Sequence, residues 1–393
     1  MTMMSAVGRM LTARSASLAP GLRSAMMTAG QGMVDVIALA RGDPDHNTPP
    51  HIIAAAQKAL DDGWTHYTPW MGLLELRAEI ARKLDRENRV TADPDREIAV
   101  TSGAQVSLYL TMQLLVGPGD EVLIADPHYS AYDNAIQLAG GAVVPVPTRG
   151  EDHFELRIAD LERSLTSRVK ALVLVDPGNP TGSVLLPEMV GRIAEFARRH
   201  DLVVVSDEVY EKLVYDGRVH TSIASLPDMH DRTVSIFSVS KSYAMTGWRI
   251  GYMVAPPDFL ARAAELHYVI NICAPAPAQV AAIAALKGPQ DHVTEMTASY
   301  VTRRDYMISA FERLGLPCVK PHGGFTVMVD IRGTGMNSVD FCLYLLQKAK
   351  VHVFPGAMYG ASGEGYVRVS VLAPLPRLEE AMRRVASVLP PRV

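Results

Sequence analysis

Ser238-Val239-Ser240-Lys241-Ser242-Tyr243-Ala244-Met245-Thr246-Gly247-Trp248-Arg249 is the stretch around which this 393-residue chain is organised. The residues before it, Val234-Ser235-Ile236-Phe237, are apolar and β-branched and follow charge at Asp231-Arg232, which predicts a short buried strand. That strand delivers the chain into a hydroxyl-rich loop with one lysine and, eight residues on, one arginine. Burial penalises the ammonium form of a lysine, so an amine in apolar surroundings gives up its proton and becomes a nucleophile for an aldehyde. Ser238 and Arg249 add a hydroxyl and a permanent cation, the two things a phosphate needs. Lysine chemistry beside a phosphate site points to a phosphorylated aldehyde, pyridoxal 5′-phosphate. Taken alone, the loop also fits an ordinary solvated lysine.

Hydrophobic residues make up 48% of the chain and charged ones 20%, enough for a large core and against global disorder. A net charge of −4 gives no electrostatic footing for nucleic acid, so Arg198-Arg199-His200 and Arg303-Arg304 read as solvated helix faces. Cys273, Cys318 and Cys342 are odd in number and widely spaced. They form neither a disulfide framework nor a metal pattern, and a reducing, cytoplasmic location is the expectation. Residues 1–34 hold no Asp or Glu but do hold Arg9, Arg14 and Arg23, as a transit peptide would; an N-terminal arm packed on a partner subunit is the favoured reading. The apolar stretch 268–286 contains Asn271, Gln279 and two prolines, which makes a poor membrane span.

Strand-like and helix-like runs alternate along the chain. Val36 to Ala40 is apolar and breaks at the turn cluster Arg41-Gly42-Asp43-Pro44-Asp45. Pro50 opens an amphipathic helix through Leu60, and Leu73 to Leu84 reads as a second, with Glu75, Arg77, Glu79 and Lys83 on its polar face. Between them runs an aromatic loop holding Trp64, His66, Tyr67 and Trp70. Ile98-Ala99-Val100 leads through Ser102-Gly103-Ala104 into a helix, a turn whose free backbone N–H groups suit a phosphate, though it is equally an ordinary cap. Glu121 to Ala125 ends near Tyr129, which stacks on a planar ring or fills core space. Ala171 to Val175 ends in Asp176-Pro177-Gly178-Asn179-Pro180-Thr181-Gly182, and Leu202 to Ser206 in Asp207-Glu208-Val209-Tyr210. An acid closing so apolar a strand is costly without a cationic partner.

Continuous apolar runs predict a mainly parallel sheet covered by helices on both faces. Gly103, Tyr129, Asn179, Asp207 and Lys241 each follow such a run, and in open α/β sheets ligands bind outside the carboxyl ends of the strands. Five suggestive positions therefore share one topological place.

In these residues the chain resembles the fold type I, pyridoxal-phosphate-dependent aminotransferases of class I. The matching stretches are Leu39 to Asp45, Tyr67 with Gly72 and Leu76-Arg77, Ser102 to Gln105, Asn179 to Gly182, Ser206 to Tyr210, Ser238 to Gly251, and Pro355-Gly356 with Gly363 to Arg368. The resemblance implies a three-layer α/β/α large domain over residues 50–285. It implies a smaller α/β domain over 286–393, joined by the segment 1–49. It further implies that Lys241 is the Schiff-base lysine and general base, that Asp207 partners the pyridine nitrogen, and that Asn179 and Tyr210 bond the ring's phenolic oxygen. Ser102, Gly103, Ala104, Ser238 and Arg249 resemble the phosphate cradle, Tyr129 the stacking aromatic, and Tyr67 the tyrosine that reaches the partner's phosphate in a homodimer. Arg368 resembles the clamp on the substrate α-carboxylate, with Gly42 and Asn179 beside it. Glu208 is given no catalytic role.

Ping-pong transfer of an amino group from an L-amino acid to a 2-oxo acid, with 2-oxoglutarate the usual acceptor, is the expected reaction. A carbon–sulfur β-lyase of the same fold, which releases ammonia, is the alternative; a non-catalytic cofactor-binding regulator ranks lower, since no helix-turn-helix segment precedes residue 35. No Gly-x-Gly-x-x-Gly follows a strand, which speaks against a nicotinamide-dinucleotide site. Departures from the pattern bear on the substrate: Thr326 follows Gly323-Gly324-Phe325, Val175 and Asp176 stand where an asparagine is usual, and Asn271 to Pro277 offers no second cation. Arg41 is the nearest candidate for a side-chain carboxylate.

Overall fold

Strands form where β-branched runs meet turn residues. In chain order they are β1 (Ile37–Ala38), β2 (Ile98–Thr101), β3 (Glu121–Asp126), β4 (Ala142–Pro147), β5 (Val169–Val175), β6 (Val203–Asp207), β7 (Thr233–Ser238), β8 (Gly251–Val254), β9 (Cys318–Val319), β10 (Thr326–Asp330), β11 (Val351–His352), β12 (Phe354–Pro355) and β13 (Tyr366–Ser370). The computed structural model describes residues 5–12 and 21–389.

β2 to β8 make a seven-stranded sheet in the order β2-β8-β7-β6-β5-β3-β4. β8 runs antiparallel to both neighbours and every other pairing is parallel, the mainly parallel architecture expected. The pleat sorts the strands onto two covered faces. Leu123, Leu172 and Val204 pack with Ile193 and Phe196 of the helix Pro187–Arg199, while Val122, Val173, Val205 and Ile236 pack with Leu108, Met112, Tyr132 and Ile136 from the helices Ala104–Leu115 and Ala131–Ala139. Each such side chain removed from water contributes about 1.5–3 kcal/mol, which holds the central strands rigid.

Only Ile37–Ala38 of the expected N-terminal strand is strand. It pairs in parallel with β11, Ile37 opposite Val351, and the chain then turns away at Arg41. A four-stranded antiparallel sheet, β12-β13-β10-β9, packs with the helices Asp291–Arg313, Ser338–Ala349 and Leu375–Val388 in one core with Ile37 and Leu39. The helix Leu22–Thr28 buries Met26 in this core of its own chain. Arg14 lies outside the described residues.

Two expected solvated faces are also corrected. Arg77, Glu79 and Lys83 are buried, Lys83 Nζ against Glu211 and 2.7 Å from Asn88 Oδ1, and Arg304 is buried against Asp216 at 2.8 Å. The acids that neutralise Lys83 and Arg304 lie 128 and 88 positions away in sequence, where helical periodicity gives no warning. No helix among the described residues is long and apolar enough to cross a membrane.

Candidate active site

The register of β5, β6 and β7 sets Val175 opposite Asp207 and Asp207 opposite Ile236, so the loops that leave these strands emerge side by side. Outside their carboxyl ends opens a cavity of about 590 Å³. Lys241, Asp207, Asn179, Tyr210, Tyr129, Arg249, Ser238, Ala104, Gly42, Arg41 and Arg368 all line it.

Lys241 stands three residues beyond the end of β7 and donates from Nζ to the Gly42 carbonyl. Its ammonium lies 5.7 Å from the centre of the Phe325 ring. Burial, with Arg368 and Arg249 beside it, pulls its pKa down to about 8 against the opposing charges of Asp43 and Asp207. A lysine so placed offers a neutral amine close to physiological pH.

Asp207 closes β6 and is 7% exposed. Tyr132 OH donates to Oδ2 at 2.9 Å and the Val209 N–H to Oδ1 at 3.3 Å. Burial outweighs those donors and pushes the carboxyl up to about 6. The cationic partner that such an acid requires is absent among the described residues as an ion pair, so the carboxylate faces the cavity ready to take one. Tyr132 escaped the sequence reading. Its signal was there: a tyrosine one turn after Tyr129, on a helix opening at the same strand end, needs a partner for its hydroxyl once buried.

Arg249 adopts a left-handed backbone at φ 58° and donates from Nη1 to Thr246 O at 2.8 Å and from Nη2 to Ser102 O at 3.4 Å. Its guanidinium lies so close to Gly103 that a Cβ there would stand 2.3 Å from Nη2. Ser102 and Gly103 thus support Arg249 from behind and do not themselves line the cavity; Ser102 Oγ accepts from Asn271. Ser238 Oγ donates to Ile250 O at 3.1 Å and accepts from the Ser240 N–H at 3.0 Å.

Arg368 on β13 is gripped between the rings of Phe354 and Tyr359, its guanidinium carbon 5.5 and 5.2 Å from their centres. Nη2 donates to Ala40 O at 3.0 Å and Nη1 reaches Asn179 Oδ1 at 3.5 Å, but Nε is buried with no partner among the described residues. A buried unpaired donor on a rigid planar cation is a prepared carboxylate site. Tyr210 meets Phe325 edge-on at 5.3 Å, and burial raises its phenol. Tyr129 OH donates to Gln105 at 3.2 Å.

At the mouth, Arg41 and Arg23 are exposed, and neither side chain has a hydrogen bond or ion pair among the described residues. Arg23, from the helix Leu22–Thr28, was missed as a site residue because nothing local ties it to the strand ends. Tyr67 is 79% exposed and is not brought into the cavity of its own chain. Its loop is nonetheless held, since Gln279 donates to Thr68 Oγ1 at 2.9 Å and accepts from the Leu73 N–H at 2.8 Å.

The sequence profile described as "Aminotransferase class I and II" matches residues 34–386. The chain belongs to the class I and II aminotransferases. It is 43% identical over 360 residues to the aspartate aminotransferase of Pyrococcus abyssi, covering 91% of this chain and 92% of that one. It is 41% identical to aromatic-amino-acid aminotransferase 2 of Thermococcus litoralis, across 91% and 93% of the two chains. The solved aspartate aminotransferase of Thermus thermophilus with maleate superposes with a TM-score of 0.91 at 34% identity, covering 96% of this chain and 99% of that one.

This aminotransferase acts on amino and oxo acids and depends on pyridoxal 5′-phosphate. The residues present fit that cofactor. The glycine that lets Arg249 approach the helix start, the buried acid without a cation, and the lysine kept near neutrality match a phosphate, a ring nitrogen and an aldehyde in turn.

Proposed function

We propose that Ser238, Arg249 and the Ala104 backbone hold the cofactor phosphate, that Asp207 partners the ring nitrogen, that Asn179 and Tyr210 hold the phenolic oxygen, and that Tyr129 covers the ring. When bound, the cofactor supplies an aldehyde that takes up the amino group and a ring that accepts the electrons left at Cα. Arg368 takes the substrate α-carboxylate on its unpaired edge and sets Cα toward Lys241. Lys241, freed as a neutral amine, removes the Cα proton and returns it on the cofactor side. The observation that carries this reading is the convergence of Lys241, Asp207, Asn179 and Arg368 on one cavity.

The acceptor in this reading is 2-oxoglutarate. Its second carboxylate would meet Arg41 at the mouth, with Arg23 beside it. Both cations lack partners among the described residues, and a dicarboxylate, maleate, is named with the Thermus relative. The division into segment 1–49, large domain 50–285 and small domain 286–393, the cytoplasmic location and a homodimer in which Tyr67 reaches the partner's phosphate complete the proposal. The core that joins Met26, Ile37 and Leu39 to residues 296–388, reached from the large domain only by Tyr210, Leu213 and Tyr215 among its buried members, supports the division, and the exposed Tyr67 on an anchored loop supports the dimer.

The test is a half-reaction. Single amino acids are added without acceptor while the cofactor's visible absorbance is followed, then each oxo acid is added back. Loss of the band with appearance of the matching oxo acid, and its return with 2-oxoglutarate, is the expected result; ammonia with a returning band would favour the β-lyase. Arg41→Ala should weaken dicarboxylic substrates selectively. Equal, unchanged activity on dicarboxylic and neutral substrates would remove Arg41 from the site.

A further inference from the structure

Below the cavity the strand ends bury a second set of charges. Asp176 and Glu208 open the turns that leave β5 and β6, and their side chains are 4% and 0% exposed. Because Val175 and Asp207 pair in register, the two acids leave neighbouring strands at the same level. His220 lies between them, with Nδ1 3.0 Å from Asp176 Oδ2 and Nε2 2.8 Å from Glu208 Oε2. Both ring nitrogens face carboxylate oxygens, and an ionised carboxylate only accepts, so the arrangement is satisfied when both nitrogens donate. The other oxygens are taken too, since Leu185 N–H donates to Asp176 Oδ1 at 2.9 Å and Ser206 Oγ to Glu208 Oε1 at 2.9 Å, while Ser222 Oγ also donates to the Oε2 that faces His220. Burial alone would discharge the ring, but the two carboxylates outweigh it and hold its pKa near 10.

None of the three lines the cavity, yet Asp176 stands three residues before Asn179, and Glu208 directly follows Asp207. We propose that His220 is a positioning residue: as a cation clamping Asp176 to Glu208, it fixes the two turns that present Asn179 and Asp207 and cancels the charges that would otherwise press on Asp207. The idea rests on the roles given above to Asn179 and Asp207. Without the clamp, two uncompensated buried carboxylates adjoin an acid that burial has already made reluctant to ionise, and Asp207 would take a proton and lose its hold on a ring nitrogen.

The experiment is His220→Gln in the holoenzyme, with cofactor release, kcat and KM measured separately. Release should quicken about tenfold or more and kcat should fall, while KM for the amino acid stays near the parent value because Arg368 is untouched. Adding Glu208→Gln should bring release back to within about threefold of the parent, since the charge pressing hardest on Asp207 is then gone. Parental release in His220→Gln overturns the proposal, and so does a double variant as impaired as the single one. If His220→Gln does not fold, nitrogen NMR of the histidine-labelled parent holoenzyme decides: two protonated ring nitrogens at pH 8 support the clamp, and a neutral ring overturns it. A fully active Asp207→Asn enzyme would instead sink the underlying roles, whatever His220 does.

Discussion

Gly103→Ala tests whether Arg249 is the phosphate cation. Gly103 has φ +88°, and a Cβ added there would lie 2.3 Å from Arg249 Nη2 and 2.9 Å from Cζ. Ordinary contact needs about 3.5 Å, so the guanidinium must retreat by roughly 1 Å. The clash is with the far end of a flexible side chain, so the fold tolerates it, at a cost of about 1–3 kcal/mol for an alanine at φ 88° and ψ 154°, a conformation that suits glycine alone. Retreat breaks the 2.8 Å bond from Nη1 to Thr246 O and moves the cation off the start of the helix Ala104–Leu115. A charge-assisted hydrogen bond contributes about 1.5–3 kcal/mol, so cofactor affinity should fall about tenfold to a hundredfold. The assay is absorbance titration of the cofactor-free enzyme with pyridoxal phosphate, with calorimetry to follow the modest loss of stability. Gly247→Ala is the control, since an added Cβ there meets nothing within 4 Å. Affinity within about twofold of the parent in Gly103→Ala would refute the assignment of Arg249.

Three further outcomes follow from the same geometry. Arg368→Lys keeps the charge but loses the fork, and steady-state kinetics should show KM for amino acids raised about tenfold or more with cofactor binding unchanged. Asp207 has its pKa raised from 3.8 to about 6, so in the cofactor-free enzyme the folded state binds the extra proton; stability from this group is present below pH 3.8 and is lost as pH rises to about 6, a slope that Asp207→Asn should remove in denaturation curves. Lys241→Ala and Tyr67→Ala subunits, each impaired alone, should regain activity when mixed and refolded together, because one hybrid site then has both residues; no gain on mixing would place Tyr67 outside the partner's site.

The seven-stranded sheet and the strand-end residues were legible because both depend on local pattern. A run such as Leu202 to Ser206 announces a covered strand, and the residue that ends it, Asp207, falls at the carboxyl end by topology alone. His220 and Arg23 were not legible for the opposite reason. His220 acquires meaning only from Asp176 and Glu208, 44 and 12 positions away on two different strand ends, and Arg23 only from cavity walls built by other elements. The same cause misread Lys83 and Arg304 as solvated, since Glu211 and Asp216 neutralise them from 128 and 88 positions away. Periodicity reports which face a side chain takes, and carries no word of a partner that makes burying a charge tolerable.

Charge placement ties these residues into one device. Among the residues lining the cavity, Arg23, Arg41, Lys241, Arg249 and Arg368 stand against only Asp43 and Asp207. Asp43 accepts from Thr246 on the cofactor loop and raises Lys241 against the pull of burial, so it sets the lysine rather than neutralising the mouth. In the proposed arrangement Arg249 is matched to a phosphate, Arg368 to an α-carboxylate and Asp207 to a ring nitrogen, which leaves the uncompensated positive charge at Arg23 and Arg41. Burial drives the chemistry at the bottom of the cavity, where a lysine holds its proton less tightly and an acid ionises less readily than in water. Exposure governs the top, where two free guanidinium groups attract anions without the desolvation penalty a buried site would levy. Selectivity for a second carboxylate can therefore change at the mouth by single substitutions while Lys241, Asp207 and Arg368, held from below by strand register and buried bonds, stay as they are.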